Sequence, residues 1–187
     1  MNKVISLLVC LLIGTSAFAQ KIISDDIPAD GNRYIFCSKE NVGSFSDKIK
    51  LFIGLSYMQP VSGEGLYSLC IQLNCGEVTT IHKGGRMLIK TTAGNVVELS
   101  TYMGGTDELK TISGINIWEV SAQYSITPEQ LEQIQSGIAK IRIELGDSKM
   151  YEKEWKKDKV GKILAKEHTL ITDALGKNSK VSFSDGF

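Results

Sequence analysis

Regular alternation of apolar and polar residues runs through most of the chain and predicts a protein built mainly of β-strands. In 66–74 the inward phase is Tyr67, Leu69, Ile71 and Leu73, while Ser68, Cys70, Gln72 and Asn74 occupy the outward phase. Period two is typical of a strand that buries one face. Comparable segments occur at 33–39, 47–58, 86–91, 95–101, 115–126, 138–145 and 150–157. We therefore expect seven or eight strands.

The segment 125–145 changes its period and predicts a short helix between two of these strands. Thr127 can cap a helix whose first residue is Pro128, and Gln130, three residues after Thr127, completes a capping box. Gly137 supplies a natural stop, after which period two resumes. We interpret the helix as a crossover that carries the chain from one strand to the next.

A second apolar stripe, at helical spacing, predicts a longer helix over about 158–175. Asp158 can cap its start and Gly176 can end it. A single apolar stripe indicates that the helix packs against the sheet. The tail at 180–187 also alternates, and its role stays open.

Turn signals between the alternating segments complete the prediction of the fold. Residues 92–95 indicate a β-hairpin, and we expect 102–114 to be the long loop of the domain. Many strands with short connections and two helices are typical of a mainly β (α+β) fold. We expect an antiparallel β-sandwich-like domain.

The N-terminus has the parts of a secretory signal peptide. Lys3 provides a positive charge, 4–14 is apolar, and an A-x-A cleavage site ends at Ala19. A bilayer-spanning helix needs about 20 apolar residues, so a signal anchor is the less favoured alternative. We expect 1–19 to be removed and 20–187 to form a single domain in the periplasm or outside the cell.

The charge balance does not favour a nucleic acid or an anionic membrane as partner. The chain has 21 basic and 21 acidic residues, and without 1–19, whose only charged residue is Lys3, the net charge is −1. Such a balance produces no strong electrostatic field. No later segment is long and apolar enough to cross a membrane. The partner stays unknown, with a protein or a glycan of the envelope as the candidates.

Three cysteines follow the cleavage site: Cys37, Cys70 and Cys75. An odd number argues against a complete disulfide framework, and with 42% hydrophobic residues a core does not need disulfides. Cys70 and Cys75 would lie about 16 Å apart in one extended strand, which is beyond disulfide reach. We interpret the three mostly as buried thiols and leave open whether any two of them pair.

The sequence carries no recognisable catalytic or metal-binding motif. A thiol–imidazole pair would require one of the cysteines to meet His82 in space. Glu152 and Glu154 share a strand face, but lysines flank them, so we prefer a charged solvent face to a glycosidase pair. Residues 25–31 lack the ligand spacing of a calcium loop. We expect no cofactor and no metal.

Two classes of function remain. The favoured one is a non-catalytic binding or structural module, and the alternative is a small hydrolase or an enzyme inhibitor whose site has no motif. Long loops in compact domains often carry function. Tyr102, Met103 and Thr106 in the expected loop, together with Trp155, are therefore the candidate contact surface.

Three successive segments carry a resemblance to a known group of proteins. They are "KGGRMLIKTTAGNVVELST", "YSITPEQLEQIQSGIAKIRIEL" and "YEKEWKKDKVGKILAKEHTLI". Their succession resembles that of small exported β-rich proteins from Bacteroides-type bacteria, over residues 33–175. The resemblance consists of fold motifs and implies an exported β-rich protein. The group has no assigned activity, so no functional residue is carried over.

Overall fold

The computed structural model describes residues 20–44, 46–105, 107–112 and 114–177, and strands make up most of it. The expected signal peptide at 1–19 and the tail at 180–187 lie outside the described residues. The elements are β1 (Ile22–Asp26), β2 (Arg33–Cys37), β3 (Glu40–Asn41), β4 (Lys50–Gln59), β5 (Leu66–Cys75), β6 (Arg86–Thr91), β7 (Val96–Met103), β8 (Asp107–Ile112), β9 (Ile115–Ile126), α1 (Pro128–Gln135), β10 (Ile138–Glu144), β11 (Met150–Glu154) and α2 (Val160–Gly176).

The predicted β-rich α+β fold class is confirmed. Each of the eight alternating segments forms a strand, and β1, β3 and β8 raise the count in the described part of the chain to eleven. These strands make one continuous antiparallel sheet in the order β1-β2-β4-β5-β9-β7-β6-β10-β11, with β3 beside β4 and β8 beside β9. The part of this sheet that contains β4, β5 and β9 is joined through β7 to the part that contains β6, β10 and β11.

The prediction of one long loop over 102–114 is wrong. Residues up to Met103 belong to β7, and Asp107–Ile112 form β8, which pairs with β9 in a hairpin. The segment looks like a loop because its residues are mostly polar. In the structure one of these polar residues forms an ion pair between strands: Lys110 Nζ lies 3.0 Å from a carboxylate oxygen of Glu119 on β9. Cross-strand ion pairs of this kind support an edge strand that buries little apolar surface.

The strand β7 changes partners along its length. Its first half, 96–100, pairs with β6, whereas its pairing with β9 is confined to Thr101 and Met103, with a register shift between them. Such an irregularity bends a sheet and increases its twist. The two parts of the sheet therefore meet at β7.

The core lies on one face of the central strands. Leu55 is opposite Leu69, and Leu69 is opposite Tyr124, and all three are fully buried. The long helix α2 covers this face through its contacts with β4 and its fully buried Leu164 and Ile171. The same alternation sends the intervening side chains of β4, β5 and β9 to the opposite face.

The short helix α1 begins as the sequence predicts. Thr127 Oγ1 accepts a hydrogen bond from the Gln130 N–H at 3.2 Å, and Gln130 Oε1 accepts one from the Thr127 N–H at 3.0 Å. Gln130 Nε2 also donates to the carbonyl of Glu98 at 3.2 Å. This contact ties the start of α1 to β7, so the crossover helix also helps to hold the two parts of the sheet together.

The cysteines are distributed as the alternation predicts. Cys37 and Cys75 are buried, Cys70 is half-buried on the other face of β5, and no disulfide joins them. Among the described residues, no helix has the length and apolar character needed to span a bilayer.

Candidate binding groove

An open groove of about 1060 Å³ lies on the face of the sheet opposite α2. Side chains from β2, β4, β5, β7 and β9 line it, and the start of α1 closes one side. Ligand sites in proteins have volumes of about 300–1,000 Å³, so the groove can hold a drug-sized molecule or a short polymer.

A row of serines forms the floor of the groove. Ser56 of β4 pairs with Ser68 of β5, and Ser68 pairs with Ser125 of β9, so the three lie side by side across adjacent strands. Phe36 of β2 pairs with Ser56 and ends the row. We call Ser56, Ser68 and Ser125 the serine row, and the groove the serine groove. Because serine is small, the row forms a depression between larger neighbours.

Larger side chains flank the serine row on both sides. On one side Tyr34 pairs with Met58, and Met58 pairs with Leu66. On the other side Met103 of β7 pairs with Gln123 of β9, and Tyr102 stands beside them. The floor is thus polar, and apolar and aromatic side chains provide most of the walls.

Hydrogen bonds fix the polar side chains of the groove. The hydroxyls of Ser68 and Tyr102 are 3.1 Å apart, and the Tyr102 hydroxyl also donates to Gln123 Oε1. Ser56 Oγ lies 3.2 Å from Cys70 Sγ. Ser125 is exposed, so its hydroxyl is accessible to a ligand. The floor therefore offers neutral groups that can both donate and accept.

Charge in the groove is one-sided. Among the described residues that line it, Glu64 and Glu98 carry a charge, and none is a lysine or an arginine. Glu64 precedes Leu66 by two residues, and Glu98 lies next to the start of α1, where Gln130 Nε2 donates to its backbone carbonyl. The groove is consequently unfavourable for an anionic ligand.

The structure separates the four candidate contact residues. Tyr102 and Met103 line the serine groove, and both are exposed. Thr106 lies outside the described residues. Trp155 is half-buried against the core, and its Nε1–H donates to the carbonyl of Val42 at 2.8 Å. Trp155 therefore fixes a loop to the core and is not part of the groove.

His168 and Cys37 lie on the α2 side of the sheet, opposite the serine row. The His168 ring packs edge-on against Tyr67 with 5.2 Å between ring centroids, and burial lowers the pKa of His168. Burial, reinforced by Glu167, raises the pKa of Cys37 to about 12. A thiol with such a pKa stays protonated at neutral pH and is a poor nucleophile.

Of the two glutamates considered as a glycosidase pair, Glu152 belongs to a surface ion-pair cluster. Glu152 lies 2.6 Å from Lys140 Nζ and 2.6 Å from an Arg142 guanidinium nitrogen. These two partners hold the pKa of Glu152 below its usual value. A general acid needs a raised pKa, so Glu152 is unsuited to that role. In the described part of the chain, no three His, Cys, Asp or Glu side chains are grouped so that they could hold a metal ion.

The serine row is the feature of the groove that sequence reasoning missed. Its signal is a small hydroxyl residue at the outward phase of successive strands, at Ser56, Ser68 and Ser125. Outward polar residues are ordinary in strands. The signal acquires meaning only when the register places the three side by side.

Comparisons with protein-family models, with curated proteins and with solved structures find no match to this chain. The groove is therefore interpreted from its own geometry and chemistry.

Proposed function

We propose that the protein is an exported, non-catalytic binding module of the bacterial envelope and that its ligand lies in the serine groove. The observation that carries this proposal is the groove itself: about 1060 Å³ of open space with a polar floor and apolar walls. Ligand sites commonly combine mainly apolar walls with a few fixed polar groups that set the orientation of the ligand.

The residues of the groove support binding rather than a purely structural role. Leu66 and Met103 are 56% and 55% exposed, although an apolar side chain gains nothing from contact with water. Tyr102, also exposed, is held by Ser68 and Gln123. Fixed aromatic groups beside exposed apolar ones are typical of contact surfaces.

Export is supported by the N-terminal sequence, and its test is the mass of the secreted chain. When the full chain is expressed in a Gram-negative host, the protein recovered from the periplasm or medium should begin at Gln20. Intact-mass measurement and N-terminal sequencing identify the first residue. Recovery of the whole chain, still starting at Met1 and retained in the cytoplasm, would rule out export.

Filling the groove should abolish binding. We expect Ser125→Phe to remove ligand-induced increases in the unfolding midpoint, because the phenyl ring would occupy the space above the serine row. Ser121→Phe is the matched control, since Ser121 is exposed on the same face of β9 but does not line the groove.

The measurement is thermal unfolding of the purified protein with cell-wall fragments, neutral glycans, bile acids and short peptides. A ligand that binds only the folded state raises the midpoint, by about 2.7 kcal/mol of stability at a hundredfold excess over Kd. A ligand that shifts wild type and Ser121→Phe but not Ser125→Phe supports the proposal. Equal shifts in all three proteins, or no shift with any class, would contradict it.

A further inference from the structure

We infer that the ligand of the serine groove is a short peptide in an extended conformation, with one basic side chain attracted to Glu64 and Glu98. This inference rests on the proposed function, because it assigns a ligand class to the same groove. Four features of the lining lead to it: the direction of the serine row, the hydrogen-bonding character of the floor, the apolar and aromatic walls, and the sign of the charge.

The direction of the serine row sets the length of the occupant. The groove crosses from β2 through β4, β5 and β9 to β7, which are neighbours in that order. With about 4.8 Å between strands, its length is about 19 Å. An extended chain spans about 3.4 Å per residue, so about six residues fit along the groove.

The floor suits a peptide backbone better than a hydrocarbon chain. Every residue of a peptide brings an N–H donor and a C=O acceptor, which need partners when they are covered. The hydroxyl of Ser125 and the amide of Gln123 can provide both kinds of partner. An acyl chain would cover the exposed hydroxyl of Ser125 and could not replace the hydrogen bonds that this hydroxyl makes with water, which costs free energy.

The walls suit the side chains of a peptide. Met58 of β4 and Met103 of β7 both line the groove, and methionine adapts its shape to different apolar partners. Phe36 and Tyr34 add aromatic surface at the β2 end. Alternate side chains of an extended peptide would point into the groove, and these walls would receive them.

The charge selects a basic peptide over an acidic one. Glu64 and Glu98 are exposed and make no ion pair among the described residues. Glu64 lies in the loop that precedes β5, and Glu98 lies on β7. A lysine or arginine side chain of the peptide would be attracted to these carboxylates, and an arginine can also stack on a tyrosine ring.

Two labelled hexapeptide pools test the inference. Both have acetylated and amidated ends and uncharged residues at five positions; the sixth is arginine in one pool and glutamate in the other. Fluorescence anisotropy should show about tenfold tighter binding of the arginine pool to wild type, which corresponds to a difference of about 1.4 kcal/mol. The double variant Glu64→Gln, Glu98→Gln should bind both pools about equally, whereas the control Glu132→Gln, on the exposed side of α1, should keep the preference.

Ser125→Phe separates failure of this inference from failure of the proposed function. Loss of arginine-pool binding in Ser125→Phe, but not in Ser121→Phe, places the peptide in the groove and supports both. Equal binding of the two pools to wild type, or a preference that survives in the double variant, overturns the inference. A neutral glycan or a bile acid that binds in place of peptides, and is lost in Ser125→Phe, overturns the peptide and leaves the proposed function standing. If no peptide or other ligand is found whose binding is lost in Ser125→Phe, both the inference and the proposed function are overturned.

Discussion

The wild-type protein should lose stability between about pH 5 and pH 8, and Glu167→Gln should abolish most of this loss. Glu167 of α2 is fully buried, and Oε2 accepts a hydrogen bond from the Leu55 N–H at 2.7 Å. This N–H lies between the segment of β4 that pairs with β2 and the segment that pairs with β3. The carboxyl group therefore accepts a hydrogen bond where neither neighbouring strand pairs with β4. Oε1 has no hydrogen-bond partner within the described structure.

The sign of the pH dependence follows from the raised pKa. Burial raises the pKa of Glu167 to about 8, with a smaller contribution from Glu40, whereas the ordinary value is 4.5. Between these two pKa values the Glu167 carboxyl group is protonated in the folded protein and ionised in the unfolded chain. The stabilisation is therefore complete below pH 4.5 and is lost as the pH rises through about 8, by at most about 5 kcal/mol.

Glu167→Gln keeps an oxygen for the Leu55 N–H but cannot ionise. Urea unfolding at a series of pH values should give a nearly flat free energy of unfolding for this variant and a falling one for wild type. Glu132→Gln, an exposed control on α1, should follow wild type. His168, whose pKa burial lowers, adds a slope of opposite sign to all three proteins. A fall of the same size in Glu167→Gln would show that another group causes it.

Replacing Gly105 with alanine should destabilise the protein by about 3 kcal/mol, because the added methyl group collides with the backbone of β9. A Cβ at this position would lie 1.9 Å from the carbonyl oxygen of Ser121. The Gly105 N–H also donates to the carbonyl of Ile81 at 3.0 Å, so Gly105 is held between two segments of chain. β9 cannot move aside at low cost, since its other edge pairs with β5 along nine residues.

Chemical unfolding of Gly105→Ala measures this effect. Gly76→Ala is the matched control, because a Cβ at Gly76 would meet no atom within 4 Å. The control should stay within about 0.5 kcal/mol of wild type. A change of that small size in Gly105→Ala would mean that the backbone at Gly105 and β9 do not approach as closely as the structure shows.

The local elements of this fold are predictable from sequence. The capping box of α1 needs only Thr127, Pro128 and Gln130, which are neighbours in the chain, and it forms as expected. The inward phase of β5 likewise follows from residues within one strand. In both cases the determining interactions are short-range or depend on a simple period.

Elements with a weak apolar signal are not predictable in this way. β8 contains Glu108 and Lys110, and its position beside β9 depends on a cross-strand ion pair rather than on a buried face. Glu167 is a second example. The helical spacing places Glu167 or His168 on the inward face of α2, but it does not show that a carboxyl group is wholly buried there.

The serine groove depends on long-range register, which is why the sequence does not reveal it. Ser56, Ser68 and Ser125 come from three strands separated by up to 69 residues, and one residue of slip in any pairing would send a serine to the core face. Tyr102 and Met103 were expected at a contact surface because of a loop that does not exist. They reach the groove as strand residues of β7.

Methionine methyl groups test most directly the claim that ligand occupies the serine groove. Met58 and Met103 line the groove, Met87 is fully buried in the core, and Met150 is 65% exposed on β11 outside it. NMR spectra of protein labelled at the methionine methyl carbon would be recorded during titration with a ligand that raises the unfolding midpoint. The account predicts that the signals of Met58 and Met103 shift with the same apparent Kd while those of Met87 and Met150 stay in place. A saturable shift of Met150 alone, with Met58 and Met103 unchanged, would contradict it.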